Sequence, residues 1–227
     1  MADDPNVDPD QKLFDQIKDG KYDLTKPHRV GFRIDFDPSI ARQTAADLIL
    51  AGYSSVRLDM EGEPAVIVSD MMMVTLDSIR SMRAALNDFA TPRDGEVVGL
   101  VVGGGMAVQH GRWTKDASGN ATTDQADQMV IDEMFAFDAD LKQLMTFGGG
   151  IGFADERSAR EAAAALMIAG YPEVAVASAD FGSVAVAVMY MAPALKAIRR
   201  VRLDLSKIAA LRGGSWLGFH VTARAPV

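Results

Sequence analysis

Any catalytic or metal chemistry in this chain of 227 residues would have to come from three histidines and a scatter of carboxylates, because it contains no cysteine. Without a thiolate there is no thiol nucleophile, no disulfide and no sulfur ligand for zinc. His28, His110 and His220 each lack a second ligand at the spacing a metal site uses, so neither a metal nor a cofactor is expected. The carboxylates Asp3, Asp4, Asp8 and Asp10 cluster near the start, but without the alternating ligands and glycine of a calcium loop. No nucleophile elbow, phosphate loop or His-Glu-x-x-His pattern occurs, and no catalytic residue is assigned. His220 alternates with Phe219 and Val221 near the end of the chain, where it can line a cleft. An enzyme using His220 with a carboxylate such as Asp35 is the last-ranked reading.

Two further patterns invite chemistry. The run Gly148-Gly149-Gly150-Ile151-Gly152-Phe153 resembles a phosphate cradle, but it does not lead directly into a helix, so close backbone packing is the better reading. Met71-Met72-Met73 reads as filler of a core or loop. The stronger signal is a basic helix. Lys196, Arg199, Arg200 and Lys207 fall together, Leu195, Ile198, Val201, Leu205 and Ile208 take the opposite stripe, and Arg202 lies at the boundary. These five cations are the candidate partner-binding residues, suited to an acidic protein segment, since arginine offers carboxylates two parallel donors. RNA is not expected there because no aromatic platform flanks the helix.

The elements that position these residues occur twice. Ala45 to Tyr53, ending Leu48-Ile49-Leu50-Ala51-Gly52-Tyr53, returns as Ala163 to Tyr171, ending Leu166-Met167-Ile168-Ala169-Gly170-Tyr171. Superposing them sets Ile34 and Phe36 on Ile151 and Phe153, and Ile79, Arg80 and Arg83 on Ile198, Arg199 and Arg202. Leu86, Ala90, Gly95 and Gly99 then fall on Leu205, Ala209, Gly214 and Gly218.

Within each copy an alternating strand is followed by an amphipathic helix, a hairpin, a second helix and a closing strand. Val30, Phe32, Ile34 and Phe36 mark the first strand, and the spacing predicts the second helix of copy one over Leu76 to Ala90. Gly52 and Gly170 stand where a left-handed residue stops a helix. The expected fold class is α+β: two tandem ferredoxin-like domains of order β-α-β-β-α-β, each an antiparallel sheet with helices on one face. The expected divisions are an N-terminal arm with a short helix (1–27), a first domain (28–105), an acidic linker (106–143) and a second domain (144–227). Lys115 to Gln128 is expected as an exposed loop and Met129 to Leu144 as a helix.

The net charge of −8 is unevenly spread: −3 in the arm, −4 in the first domain, −4 in the linker and +3 in the second domain. Such a balance argues against DNA as a partner, and the longest apolar runs are too short to cross a membrane. With no leader pattern at the start, a cytoplasmic location is expected.

The ordered motifs Leu13…Gly20-Lys21-Tyr22-Asp23-Leu24-Thr25-Lys26-Pro27-His28-Arg29-Val30, a strand ending in Phe36, an Ala-rich helix ending Ala51-Gly52-Tyr53, and Gly95-Glu96-Val97-Val98-Gly99 resemble the domain called regulator of ribonuclease E activity B. The resemblance spans residues 11 to 102 and, more loosely, 144 to 222. Where the family closes with Gly-Gly-x-x-Asp-Gly-Trp, this chain has Val98-Gly99-Leu100 and Leu217-Gly218-Phe219. It implies a ferredoxin-like fold, no catalytic residues, and a cytosolic regulator that binds an endoribonuclease and lowers its RNA cleavage. The expected function is therefore a non-catalytic protein-binding regulator whose partner is an acidic protein segment, with a ribonuclease as one candidate. A homodimer is compatible with this reading. The alternative is a small-molecule sensor holding its ligand between the two domains.

Overall fold

The computed structural model describes residues 8–20, 22–59, 64–102, 127–132, 145–192 and 194–222. The chain divides into two compact units, Met1–Arg42 with Tyr53–Met106, and Gln43–Gly52 with Ala107–Val227.

The first unit opens with α1 (Pro9–Asp19), capped by the Asp8 carboxylate, which accepts from the Asp10 amide at 2.9 Å, and led by a proline whose fixed φ suits a first helical position. β1 (Pro27–Asp35) buries Val30, Phe32 and Ile34, the face predicted by alternation. Asp37 then starts α2 (Pro38–Leu50), whose residues from Gln43 onward belong to the second unit, accepting from the Ser39 amide at 2.8 Å. The Ser39 hydroxyl, and then that amide, hold the Asp37 carboxyl below its ordinary pKa.

Ala41, Ala45, Leu48 and Ile49 form the buried stripe of α2. β2 (Ser55–Asp59), β3 (Ala65–Met73), α3 (Leu76–Ala90), a 3-10 turn (Thr91–Arg93) and β4 (Glu96–Val102) complete the unit. Its strands lie in the order β4-β1-β3-β2, all neighbours antiparallel, with a bulge between Arg33 and Ile34 against β4. α3 packs on β4 and α1, burying Ile79, Met82, Leu86 and Ala90.

In the second unit, helical residues 127–132 (α4) precede β5 (Met145–Phe153), α5 (Glu156–Ala169), β6 (Glu173–Ala179), β7 (Gly182–Met191), α6 (Leu195–Leu211) and β8 (Ser215–Thr222). The strand order is β6-β7-β5-β8, again antiparallel, with a bulge between Gly150 and Ile151 against β8. α5 packs on β6 and β7, and α6 on β5 and β8. Gly170 ends α5 at φ 108° and its amide donates to Leu166 and Met167, the left-handed stop that only glycine adopts freely. The glycine run lies inside β5, and a side chain at Gly149 would strike Leu205 of α6, so there the glycine lets helix and sheet approach.

α4 differs from the expectation. The helix is in place at Asp127, inside the stretch expected as an exposed loop, and Asp127 is among the most buried residues of the chain. Its burial depends on a partner far away in sequence, which periodicity does not reveal. Most of the expected linker lies outside the described residues.

Candidate binding face

α6 is built to present one face and anchor the other. Ile198, Leu205 and Ala209 are buried at helical spacing, and the helix begins without a side-chain cap at Ala194. The exposed side carries Lys196, Arg200 and Lys207, interleaved with Leu203 (54% exposed) and Leu211 (71% exposed). Arg200 lies 3.9 Å from Asp204 on the same helix, a pairing of mobile, exposed groups that contributes little to stability.

Arg202 belongs elsewhere. Its guanidinium donates to both carboxylate oxygens of Asp127, Nε at 2.7 Å and a terminal nitrogen at 2.8 Å, with the two side chains 7% and 1% exposed. Asp127 also lies 4.0 Å from the Arg199 Nε. Burying a guanidinium is costly without a counter-charge, and this fork of charge-assisted bonds offsets that cost. Arg202 is therefore a clamp holding α4 on α6, and Arg199 is partly committed to the same carboxylate. Of the five expected contact residues, the structure leaves Lys196, Arg200 and Lys207 on the open face.

The first unit carries a matching device. Arg83 of α3 donates its Nε to Asp10 of α1 at 2.5 Å and lies 5.2 Å from the centre of the Phe32 ring, while the neighbouring Arg80 pairs with Asp8. The Asp8 carboxyl is lowered chiefly by the Arg80 hydrogen bond, and the Arg80 pKa is raised by the same contact.

The other candidates are occupied locally or fall outside the described residues. His28 donates its Nε2 proton to the Asp23 carbonyl at 2.7 Å and meets the Tyr22 ring edge-on, so it stabilises a turn. Asp35 accepts from Arg33 at 2.9 Å. His220 stands across from Gly148 in the sheet register. The cleft-lining role expected of its side chain lies outside the described part of the chain, as does His110 altogether. Among the described residues no group of three or more His, Asp or Glu is placed to hold a metal ion.

Sequence reasoning missed two features. Glu173 is buried and accepts from the Tyr190 hydroxyl at 3.2 Å, a cross-strand pairing that no local pattern signals. A cavity of about 450 Å³ is lined by Leu50, Glu156, Arg157, Arg160 and Glu161. Its charges are paired within the lining, Arg157 with Glu161 and Arg160 with Glu156.

The described residues thus define an α+β protein with antiparallel sheets and a basic, leucine-studded helical face, a surface suited to binding. No helix among them is long and apolar enough to cross a membrane. Residues 8–100 match the family model described as Regulator of ribonuclease activity B, so the stretch from α1 into β4 is similar to that family. No curated protein matches the chain.

Proposed function

We propose that this chain is a non-catalytic regulator that acts by binding another protein, with a ribonuclease as the first partner to test. The observation that carries this reading is the match of residues 8–100 to a family of ribonuclease regulators. The docking element is the open face of α6. Lys196, Arg200 and Lys207 supply charge for an acidic segment, and Leu203 and Leu211 supply apolar contact.

The same proposal includes a tandem of two ferredoxin-like domains. Several matched positions support it. Phe36 and Phe153 each fill the space where a side chain at Gly95 or Gly214 would stand. Each central strand bulges immediately before its matched isoleucine, Ile34 or Ile151. Arg83 and Arg202 each hold an aspartate from a preceding helix, across 73 and 75 residues of sequence. By this equivalence α4 plays in the second copy the part α1 plays in the first. The second domain then takes in α4 as well as residues 144–227.

The test is capture of partners from a bacterial lysate on the immobilised full chain, with and without nuclease, followed by the same experiment with Arg200→Glu/Lys207→Glu. Retention of one protein after nuclease treatment, lost in the variant, upholds the reading. Retention that vanishes with nuclease, or survives charge reversal unchanged, overturns the α6 assignment. Arg199 and Arg202 are left intact because both lie against Asp127.

A further inference from the structure

The superposition that sets Ile79 on Ile198 also compares the outer faces of α3 and α6 position by position. Asp77 falls on Lys196 and Asp88 on Lys207, so the same two places carry opposite charges in the two helices. Between them Ser81 falls on Arg200, and Ala84 on Leu203. All eight residues are exposed.

In each helix the charged pair is separated by three turns, about 16 Å at 1.5 Å per residue, so both members stand on one line along the helix. Two helices laid side by side can therefore join both pairs at once. With the helices parallel, so that Asp77 meets Lys196 and Asp88 meets Lys207, the large Leu203 side chain has Ala84 and Ala85 opposite it, a small-residue surface that lets the helices approach. The remaining charges on these faces have local partners: Asp204 lies near Arg200 and Arg80 pairs with Asp8.

We propose that the basic face of α6 docks on the acidic face of α3 in a second copy of this chain. The proposal rests on the reading of α6 as a docking face and names an occupant for it. Charge complementarity at matched spacing argues for this occupant. Because the two faces are different patches of one chain, the contact closes as a two-fold dimer when both pairs engage and otherwise adds chains head to tail. A regulator built this way hides its partner-binding face by self-association, so self-association and partner docking exclude one another.

The experiment is sedimentation velocity of the purified full chain over a concentration series at low and high salt. Three proteins are compared: the natural chain, Lys196→Asp/Lys207→Asp, and Asp77→Lys/Asp88→Lys. The natural chain should associate, more weakly at high salt. Each double reversal should weaken association by about tenfold or more, since every attractive pair becomes repulsive. An equimolar mixture of the two variants should restore association, because each acidic face again meets a basic one.

A natural chain that stays monomeric at its highest soluble concentration overturns the proposal. So does association that neither variant alters, or a mixture that fails to restore it. Should a reversal disturb folding by circular dichroism, the neutral variant Lys196→Gln/Lys207→Gln replaces it and must still weaken association. A natural chain that stays monomeric yet captures a protein from lysate sinks this proposal alone. Self-association of the natural chain with no protein captured even by Asp77→Lys/Asp88→Lys, in which the α6 face is left uncovered, sinks the partner reading alone.

Discussion

At the scale of single residues, the Asp127–Arg202 pair dominates because both groups are almost wholly removed from water. Breaking a buried pair leaves an uncompensated charge, so Asp127→Asn should lower unfolding free energy by about 3–5 kcal/mol in a urea titration. The double replacement Asp127→Leu/Arg202→Met should recover much of that loss, since no charge remains to be desolvated. Asp10→Asn should cost less, because Arg83 is 20% exposed and water can reach it.

Tyr171 titrates in the opposite direction from the capping carboxylates. Burial, and then the nearby Asp204 carboxylate, push its pKa from 10.0 up to about 12. The folded state holds the phenol proton more tightly than the unfolded chain does. Its stabilising contribution is therefore complete below pH 10 and is lost as pH rises towards 12. Burial also raises the Tyr53 phenol, so phenolate absorbance should show late-titrating tyrosines of which Tyr171→Phe removes one, together with a shallower alkaline fall in stability. Neither the pair nor this tyrosine was legible locally. The one available signal was the near-equal spacing of Asp10 from Arg83 and Asp127 from Arg202 once the repeat is aligned.

Among the elements, α3 and α6 show what a sequence states well and what it leaves out. α3 runs over Leu76–Ala90 as its periodicity predicts, because apolar residues at helical spacing and a good cap both favour the same ends. Thr75 and Ser78 form a reciprocal capping box, each side chain accepting the other residue's amide. α6 has only Ala194 at the corresponding place, in an extended conformation that a capping side chain accepts. Thr75→Ala should cost about 1 kcal/mol, and Ala194→Ser should gain about 0.5–1 kcal/mol, both read from thermal unfolding. The helical state of Asp127 was not legible, because this residue is polar and is buried through its bond to α6. A hydrophobicity pattern assigns such a residue to solvent.

For the molecule as a whole, the two kinds of charge should separate under salt. Exposed cations act over a Debye length of about 8–10 Å at moderate ionic strength, so capture through Lys196, Arg200 and Lys207 should weaken steeply as salt rises. The buried Asp127–Arg202 pair is shielded from solvent, so the thermal midpoint of the same protein should change little across the same range. Parallel loss of both would place the docking contacts on the clamp and not on the open face.

The sequence by itself determined the α+β class, the course of the described strands and of the helices other than α4, and the glycine stops at Gly52 and Gly170. Those features follow from short-range rules: side-chain alternation, helical spacing and the backbone freedom of glycine. Tertiary structure alone decided which cations are available. Arg199, Arg200 and Arg202 read as one cluster along the helix, yet one guanidinium is buried on Asp127, one is drawn towards the same carboxylate, and one is left to solvent. The cause is desolvation. A charge facing the interior must find its counter-charge wherever the chain folds it, and here that lies 75 residues away.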